Sequence, residues 1–128
     1  MRRRSILPAS KLKQKAWEQF SEYIKRRDKG VCFTCAAIGD PKYMHSGHFI
    51  HRRAATYFNE INVHCQCPHC NIWLYGNSVL YTLKMIEKYG KKIVDELWVE
   101  SRSIKPFVRS ELEEIYLKYK KLNESART

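Results

Sequence analysis

No apolar run in this chain approaches the roughly 20 residues needed to span a bilayer, and the N-terminus lacks the apolar core of a signal peptide. Neither a membrane-spanning nor a secreted protein is expected, no membrane partner is expected, and the expected location is the cytoplasm. Internal repeats and low-complexity segments are also missing, so the 128 residues read as one domain with a modest core. Acidic residues are scarce: 13 Asp and Glu stand against 24 Lys and Arg, a net charge of +11. Such an imbalance points to a polyanionic partner, most simply nucleic acid. Histidine is absent outside residues 44–77, a stretch that holds all five histidines and three of the five cysteines. In a reducing compartment, cysteines grouped as one close pair and one close trio favour metal binding over disulfides.

Residues 1–9, with Arg2, Arg3, Arg4 and Pro8, read as a basic N-terminal arm that touches phosphates, or equally as a disordered tail that aids solubility. The single domain is expected over residues 10–122. Ser10 stands as the N-cap of a helix to about Asp28, with Leu12, Ala16, Phe20, Tyr23 and Ile24 at helical spacing and Trp17 broadening that face. Its lysines and arginines lie mostly elsewhere around the helix, as the border of a nucleic-acid groove or as a solvated face. Gly30 closes the helix. Tyr43 to His51 reads as a short strand broken at Gly47, and Asn59 to Gln66 as a second extended piece. Trp73, Leu74 and Tyr75 are expected to pack a metal-side helix against the domain. A helix over Ser78–Tyr89 follows, with Leu80, Leu83 and Ile86 inward and Tyr81 beside them, and then a helical segment over Ile93–Val99 packed through Leu97 and Trp98. Ser110 and Glu113 form a capping-box signal for a last helix to about Leu122, with Leu112, Ile115, Tyr116 and Tyr119 as its stripe. Residues 123–128 are expected as a frayed C-terminal tail.

Cys32 and Cys35 form one two-residue knuckle, Cys67 and Cys70 another, and 31 residues separate them. Two such knuckles flanking a short β-rich insert can close a tetrahedral thiolate site, with zinc–sulfur distances of about 2.3 Å. Four thiolates leave no open coordination position, so this zinc would be structural. The elements around Cys32 and Cys35 are not a βαβ pattern, which argues against a thioredoxin-like redox pair. Cys65 is the spare, expected as a small buried apolar residue rather than a ligand in place of Cys67.

Gly47-His48-Phe49, Asn62 and Asn71 in this order around the cysteines resemble the HNH nuclease pattern of strand, strand and helix around a metal. The motifs Ser46-Gly47-His48-Phe49, Phe58 to His64, Gln66-Cys67-x-x-Cys70-Asn71 and Gly76-Asn77, with Trp17 and Phe20 to Ile24 before them, narrow the resemblance to the phage NinG (Rap) recombination family. It covers roughly residues 15–122 in the same order. It implies an α+β fold: a small zinc-stapled ββα-metal (HNH-like) core flanked by N-terminal and C-terminal helices. It also implies a phage- or prophage-encoded protein of the host cytoplasm that cleaves branched DNA, such as Holliday junctions and D-loops, during recombination. Other phage recombination proteins are candidate partners.

The residue types suit metal-dependent phosphodiester hydrolysis, which needs an activated water and a cation to stabilise charge on the phosphate. His48 is the candidate general base, since a neutral imidazole accepts a proton near pH 7. In the HNH arrangement Asn62 orients that imidazole through its carboxamide, and Asn71 is a ligand of catalytic magnesium or manganese. Many HNH nucleases carry a metal ligand directly before the catalytic histidine, where this chain has Gly47. The missing ligand is expected from His45 first, because a bend at Gly47 would bring it alongside His48, with His51 and His64 as alternatives. His48 itself as the metal ligand is a further alternative. His51, Arg52 and Arg53 are expected to bind DNA phosphates beside the scissile one. Tyr57 and Phe58 would stack on unpaired bases or belong to the core. Resolving a four-way junction takes two cuts, which makes a homodimer a candidate assembly; the last helix could be its seam, though intramolecular packing is the simpler use of that stripe. The alternative function is a non-catalytic, zinc-stapled DNA-binding accessory protein, kept open by Gly47.

Overall fold

The computed structural model describes residues 7–127. The arginines of the expected N-terminal arm lie outside them, while the carbonyl of Leu7 accepts a hydrogen bond from Arg109. The fold is mixed: among the described residues, four α-helices surround one small antiparallel sheet. They are α1 (Ala9–Arg27), α2 (Ser78–Tyr89), α3 (Lys91–Ser101) and α4 (Arg109–Arg127), with strands β1 (His45–His48) and β2 (Val63–Gln66).

Helix α1 starts one residue before Ser10, directly after Pro8, whose fixed φ suits a helix entry. Leu12, Ala16, Phe20 and Ile24 recur every four residues and are all buried. The helix ends through Lys29 and Gly30, both left-handed, and Gly30 is required twice over. Its φ is +71°, and a Cβ there would lie 2.1 Å from the Gly39 carbonyl oxygen.

Two strands of four residues are marginal alone, so the sheet depends on what covers its edge. The end of α1 does this. Arg27 donates to the carbonyls of Glu60 and Val63, the Asp28 carboxylate accepts from the Cys65 amide, and the Phe33 amide donates to the Cys65 carbonyl. His45 pairs with Gln66, Ser46 with Cys65, Gly47 with His64 and His48 with Val63. Strand alternation therefore puts Ser46, His48, Val63 and Cys65 on the face toward α1, and His45, Gly47, His64 and Gln66 on the other.

The core has three parts. Phe20, Ile24, Val63 and Tyr119 join α1, β2 and α4; Phe49, Ile50, Tyr81, Met85, Val94 and Leu97 fill the space between the hairpin and α2–α3; Cys32, Met44, Cys65 and Cys70 form the third. The α4 stripe is spent inside the chain against α1, with Tyr119 edge-on to Phe20 at 4.9 Å. Residues 123–127, expected as a tail, continue α4: Asn123 is buried and donates to the carbonyl and the side-chain oxygen of Gln19, and Arg127 pairs with Glu22.

Two expectations about packing fail for identifiable reasons. In α2 the buried residues are Tyr81 and Met85, whereas Leu83 is 59% exposed. The Tyr81 hydroxyl finds partners in the Gly47 carbonyl and His64, so the ring can be buried without an orphaned polar tip. Trp73, Leu74 and Tyr75 do not pack inward. They lie on the outside of one wide helical turn, His69–Trp73, in which the Leu74 amide reaches back five residues to His69, and of the turn that follows it. The helix expected to carry Asn71 is this single turn. Among the described residues no helix is long and apolar enough to cross a membrane.

His64 is a structural residue. Its Nδ1 and Nε2 meet the hydroxyls of Tyr81 and Tyr89 at 3.1 and 2.6 Å, and its ring stacks on Phe33 at 4.0 Å. Both nitrogens are engaged, which removes it as a source of the missing ligand. Burial, with Arg27 nearby, depresses its pKa to about 3. The unfolded chain therefore binds a proton that the folded one refuses, and this imidazole lowers stability as pH falls below about 6.5. Between pH 7 and 5 the urea-unfolding free energy of the native chain should drop by about 2 kcal/mol more than that of a His64→Gln variant; parallel pH curves would contradict this.

Candidate functional site

The sulfurs of Cys32, Cys35, Cys67 and Cys70 all lie within 4.8 Å of one another, and those of Cys35 and Cys67 are 3.7 Å apart. A tetrahedron with 2.3 Å arms has edges of about 3.8 Å, so the cluster can hold a zinc ion with little movement. Donors are already aimed at it. The Cys70 amide points at the Cys67 sulfur, the Thr34 hydroxyl lies 3.3 Å from that of Cys32, and the Asn77 amide reaches that of Cys70 at 3.6 Å. Burial opposes ionisation of Cys32, yet the amide of Cys35 and the Thr34 hydroxyl bring its thiol down to about 6. Burial, reinforced by the neighbouring sulfurs, pushes Cys35 up to about 12. A cation among the sulfurs would offset the repulsion that opposes ionisation of Cys35. Cys65 is buried outside the cluster, its thiol pushed up to about 12 by burial and Asp28.

On the α1 side of the hairpin, His48 stacks on Trp17 at 4.8 Å with ring planes 18° apart. Its Nε2 lies 3.0 Å from the Tyr57 carbonyl oxygen, which only accepts, so Nε2 carries the proton and Nδ1 keeps a free lone pair. Burial, aided by the charges of His51 and Lys13, lowers the pKa to about 4 against the pull of that hydrogen bond. The imidazole is neutral at pH 7. Asn62 does not touch it, contrary to expectation. Its carboxamide accepts from the Ile50 amide and donates to the carbonyls of Ile50 and Thr56, bracing the loop that delivers the Tyr57 carbonyl. Asn62 is thus linked to the His48 ring only through that loop.

His51, Arg52 and Arg53 line the same cleft as His48, a space of about 570 Å³ bordered also by Lys13 and Trp17. Lys13 additionally sits 4.5 Å over the Tyr57 ring. Helix α1 thus contributes a wall and a positive charge to this cleft.

On the opposite face, the Asn71 amide donates to His45 Nδ1 at 3.0 Å, so these two residues meet as a pair. His45 is not alongside His48: no bend occurs at Gly47, and alternation sends the two imidazoles to opposite faces of β1. Its Nδ1 holds Asn71 instead of standing free. Gln66 was not foreseen. Its amide group donates to Thr34 and to the Gly76 carbonyl, which turns Oε1 toward Gly47, where it is buried with no hydrogen-bond partner among the described residues. A Cβ on Gly47 would lie 1.8 Å from this oxygen and 3.0 Å from Oδ1 of Asn71. Gly47 thus leaves room for two amide oxygens to converge. Gln66 stands in the motif Gln66-Cys67-x-x-Cys70-Asn71, and alternation along β2 gives it a face, but neither signal gives it a role.

The family model described as Bacteriophage Lambda NinG protein matches residues 1–128. Protein ninG of Escherichia phage lambda is 31% identical over 100 residues, covering 76% of this chain and 48% of that protein. Protein ninG of Salmonella phage P22 is 31% identical over 100 residues, covering 76% and 49%. The chain spans about half the length of the curated relatives it matches. No solved structure matches it.

The purified chain should contain about one zinc. Cys67→Ser should lose both the metal and much of the thermal stability, since structural zinc is coupled to folding by roughly 10 kcal/mol or more, while Cys65→Ser should keep both; elemental analysis with calorimetry distinguishes the cases. Full zinc in Cys67→Ser would rule out this ligand set.

Proposed function

This chain belongs to the phage NinG family of recombination-related proteins, and from that membership and the cleft around His48 we propose a structure-specific, metal-dependent DNA endonuclease of HNH-like type acting on branched DNA. One observation carries the reading: a neutral imidazole, fixed through one nitrogen and bare at the other, faces a basic cleft. His48 Nδ1 accepts the proton of the attacking water, and the Tyr57 carbonyl keeps the ring in the tautomer this requires. Trp17 fixes the ring plane and shields it from bulk water. Arg52, Arg53, His51 and Lys13 neutralise phosphates along the cleft, so binding weakens steeply with salt.

A catalytic magnesium or manganese ion would take the amide oxygens of Gln66 and Asn71 that converge beside Gly47, on the face of β1 away from His48. Gln66 and Asn71 would hold it, with His45 bracing Asn71. When bound, such an ion would supply Lewis-acid chemistry, and it would reach a phosphate in the His48 cleft only with a rearrangement of the hairpin. No base-reading motif is evident, which suits recognition of branch shape. Two symmetric cuts in a four-way junction would take two copies of the chain.

The second reading, a non-catalytic zinc-stapled DNA-binding accessory protein, is favoured by the placement of His48 and the amide oxygens on opposite faces of β1. An assay on four-way junctions with magnesium or manganese separates the two. His48→Ala should reduce cleavage by about 100-fold or more with unchanged gel-shift affinity; cleavage that survives this substitution would eliminate the mechanism, and binding without product in either metal would select the second reading. The base acts unprotonated and its pKa is depressed to about 4, so kcat/KM should hold level as pH falls from 7 to about 5. A decline centred near the ordinary value of 6.5 would mean that the buried imidazole is not the base.

A further inference from the structure

Residues 75–77 are left-handed in succession, with φ of +50° at Tyr75, +92° at Gly76 and +52° at Asn77. Glycine accepts this conformation freely, but for a bulky aromatic residue it is strained. Nothing in the interior offsets that strain, because Tyr75 is 88% exposed and Trp73, two residues earlier, is 75% exposed. The turn is nonetheless held firmly. The Gly76 amide donates to the Cys70 carbonyl, the Asn77 amide to that of Leu74, and the Asn77 side chain to the Cys70 sulfur. A cysteine of the metal cluster therefore anchors two outward-facing aromatic rings.

The turn adjoins the basic cleft. A Cβ on Gly76 would lie 3.2 Å from Nε2 of His51, which also lines the cleft around His48. The whole stretch 44–77 contains a single acidic residue, Glu60, and that one is engaged by Tyr119 and Lys118. Exposed aromatic rings carried on a braced turn beside a cationic groove suit unpaired bases: the groove follows the phosphates and the rings supply stacking surfaces. A paired duplex keeps its bases stacked on each other and has nothing to offer such rings.

We infer that Trp73 and Tyr75 form a stacking platform for unpaired bases at the branch point of nucleic acid bound in the basic cleft. This rests on the DNA-binding reading above and specifies what in a branch is recognised.

Binding is measured with the full chain and two probes of equal length, a flapped DNA carrying 2-aminopurine at the first unpaired position and a fully paired duplex. Trp73→Ala and Tyr75→Ala should each weaken flap binding by about 10-fold and abolish the change in 2-aminopurine fluorescence, leaving duplex affinity within about 2-fold. Trp73→Phe and Tyr75→Phe should retain flap binding. Tyr75→Gly should raise Tm by about 4 °C through relief of strain while losing the flap preference. Unchanged flap binding in both alanine variants, or equal weakening on flap and duplex, would overturn the platform while leaving DNA binding intact. Failure of the native chain to bind either probe would overturn the DNA reading, and the platform with it.

Discussion

The convergence of four sulfurs from two knuckles, one following α1 and one following β2, is the constraint on which the rest depends. A two-stranded sheet of this size does not hold itself, and the segment between β1 and β2 has little regular structure of its own. An ion joining Cys32 and Cys35 to Cys67 and Cys70 would fix the end of α1 against the end of β2. Arg27 and Asp28 can then cover the edge of β2 from α1. The same cluster reaches the other way through Asn77 and the carbonyl of Cys70, and so sets the turn that leads into α2.

Strand alternation divides the hairpin's labour. One face packs on α1 and presents His48 against Trp17; the other carries His45, Gly47 and Gln66 toward Asn71. Burial serves two imidazoles in different ways. His64 is saturated by two tyrosine hydroxyls and acts as a core residue, whereas His48 has one partner and retains an open nitrogen. The contrast comes from partners rather than depth, since burial is the largest influence lowering the pKa of both.

Much of this was legible in the sequence because it rests on local repetition. The four-residue spacing from Leu12 to Ile24 gives the buried face of α1, the bounds of α2 coincide with those expected, and the paired knuckles converge. What was not legible depends on polar side chains finding distant partners. Tyr81 displaces Leu83 from the interior because two polar groups await its hydroxyl. Asn123 is buried because Gln19 accepts from its amide, and nothing in the last six residues announces this. Asn62 was read as touching the imidazole, but its amide braces a loop instead. Trp73 and Tyr75 look like core residues by composition alone; their exposure follows from the wide turn at 69–73 and the left-handed run after it. Gln66 has room for its side chain because Gly47, diagonal to it on the same face, has none, a relation visible only once the register is known.

An ion held by the four thiolates would keep the hairpin in the form in which His48 is neutral and fixed as one tautomer. Nitrogen-15 NMR of the His48 imidazole, recorded across pH for the zinc-loaded chain and again after chelation, tests this most directly. In the loaded chain the ring should carry its proton on Nε2 and titrate only near pH 4; after chelation it should titrate near the ordinary imidazole value of about 6.5. A ring that titrates near 6.5 with zinc in place, or identically in both states, would contradict it.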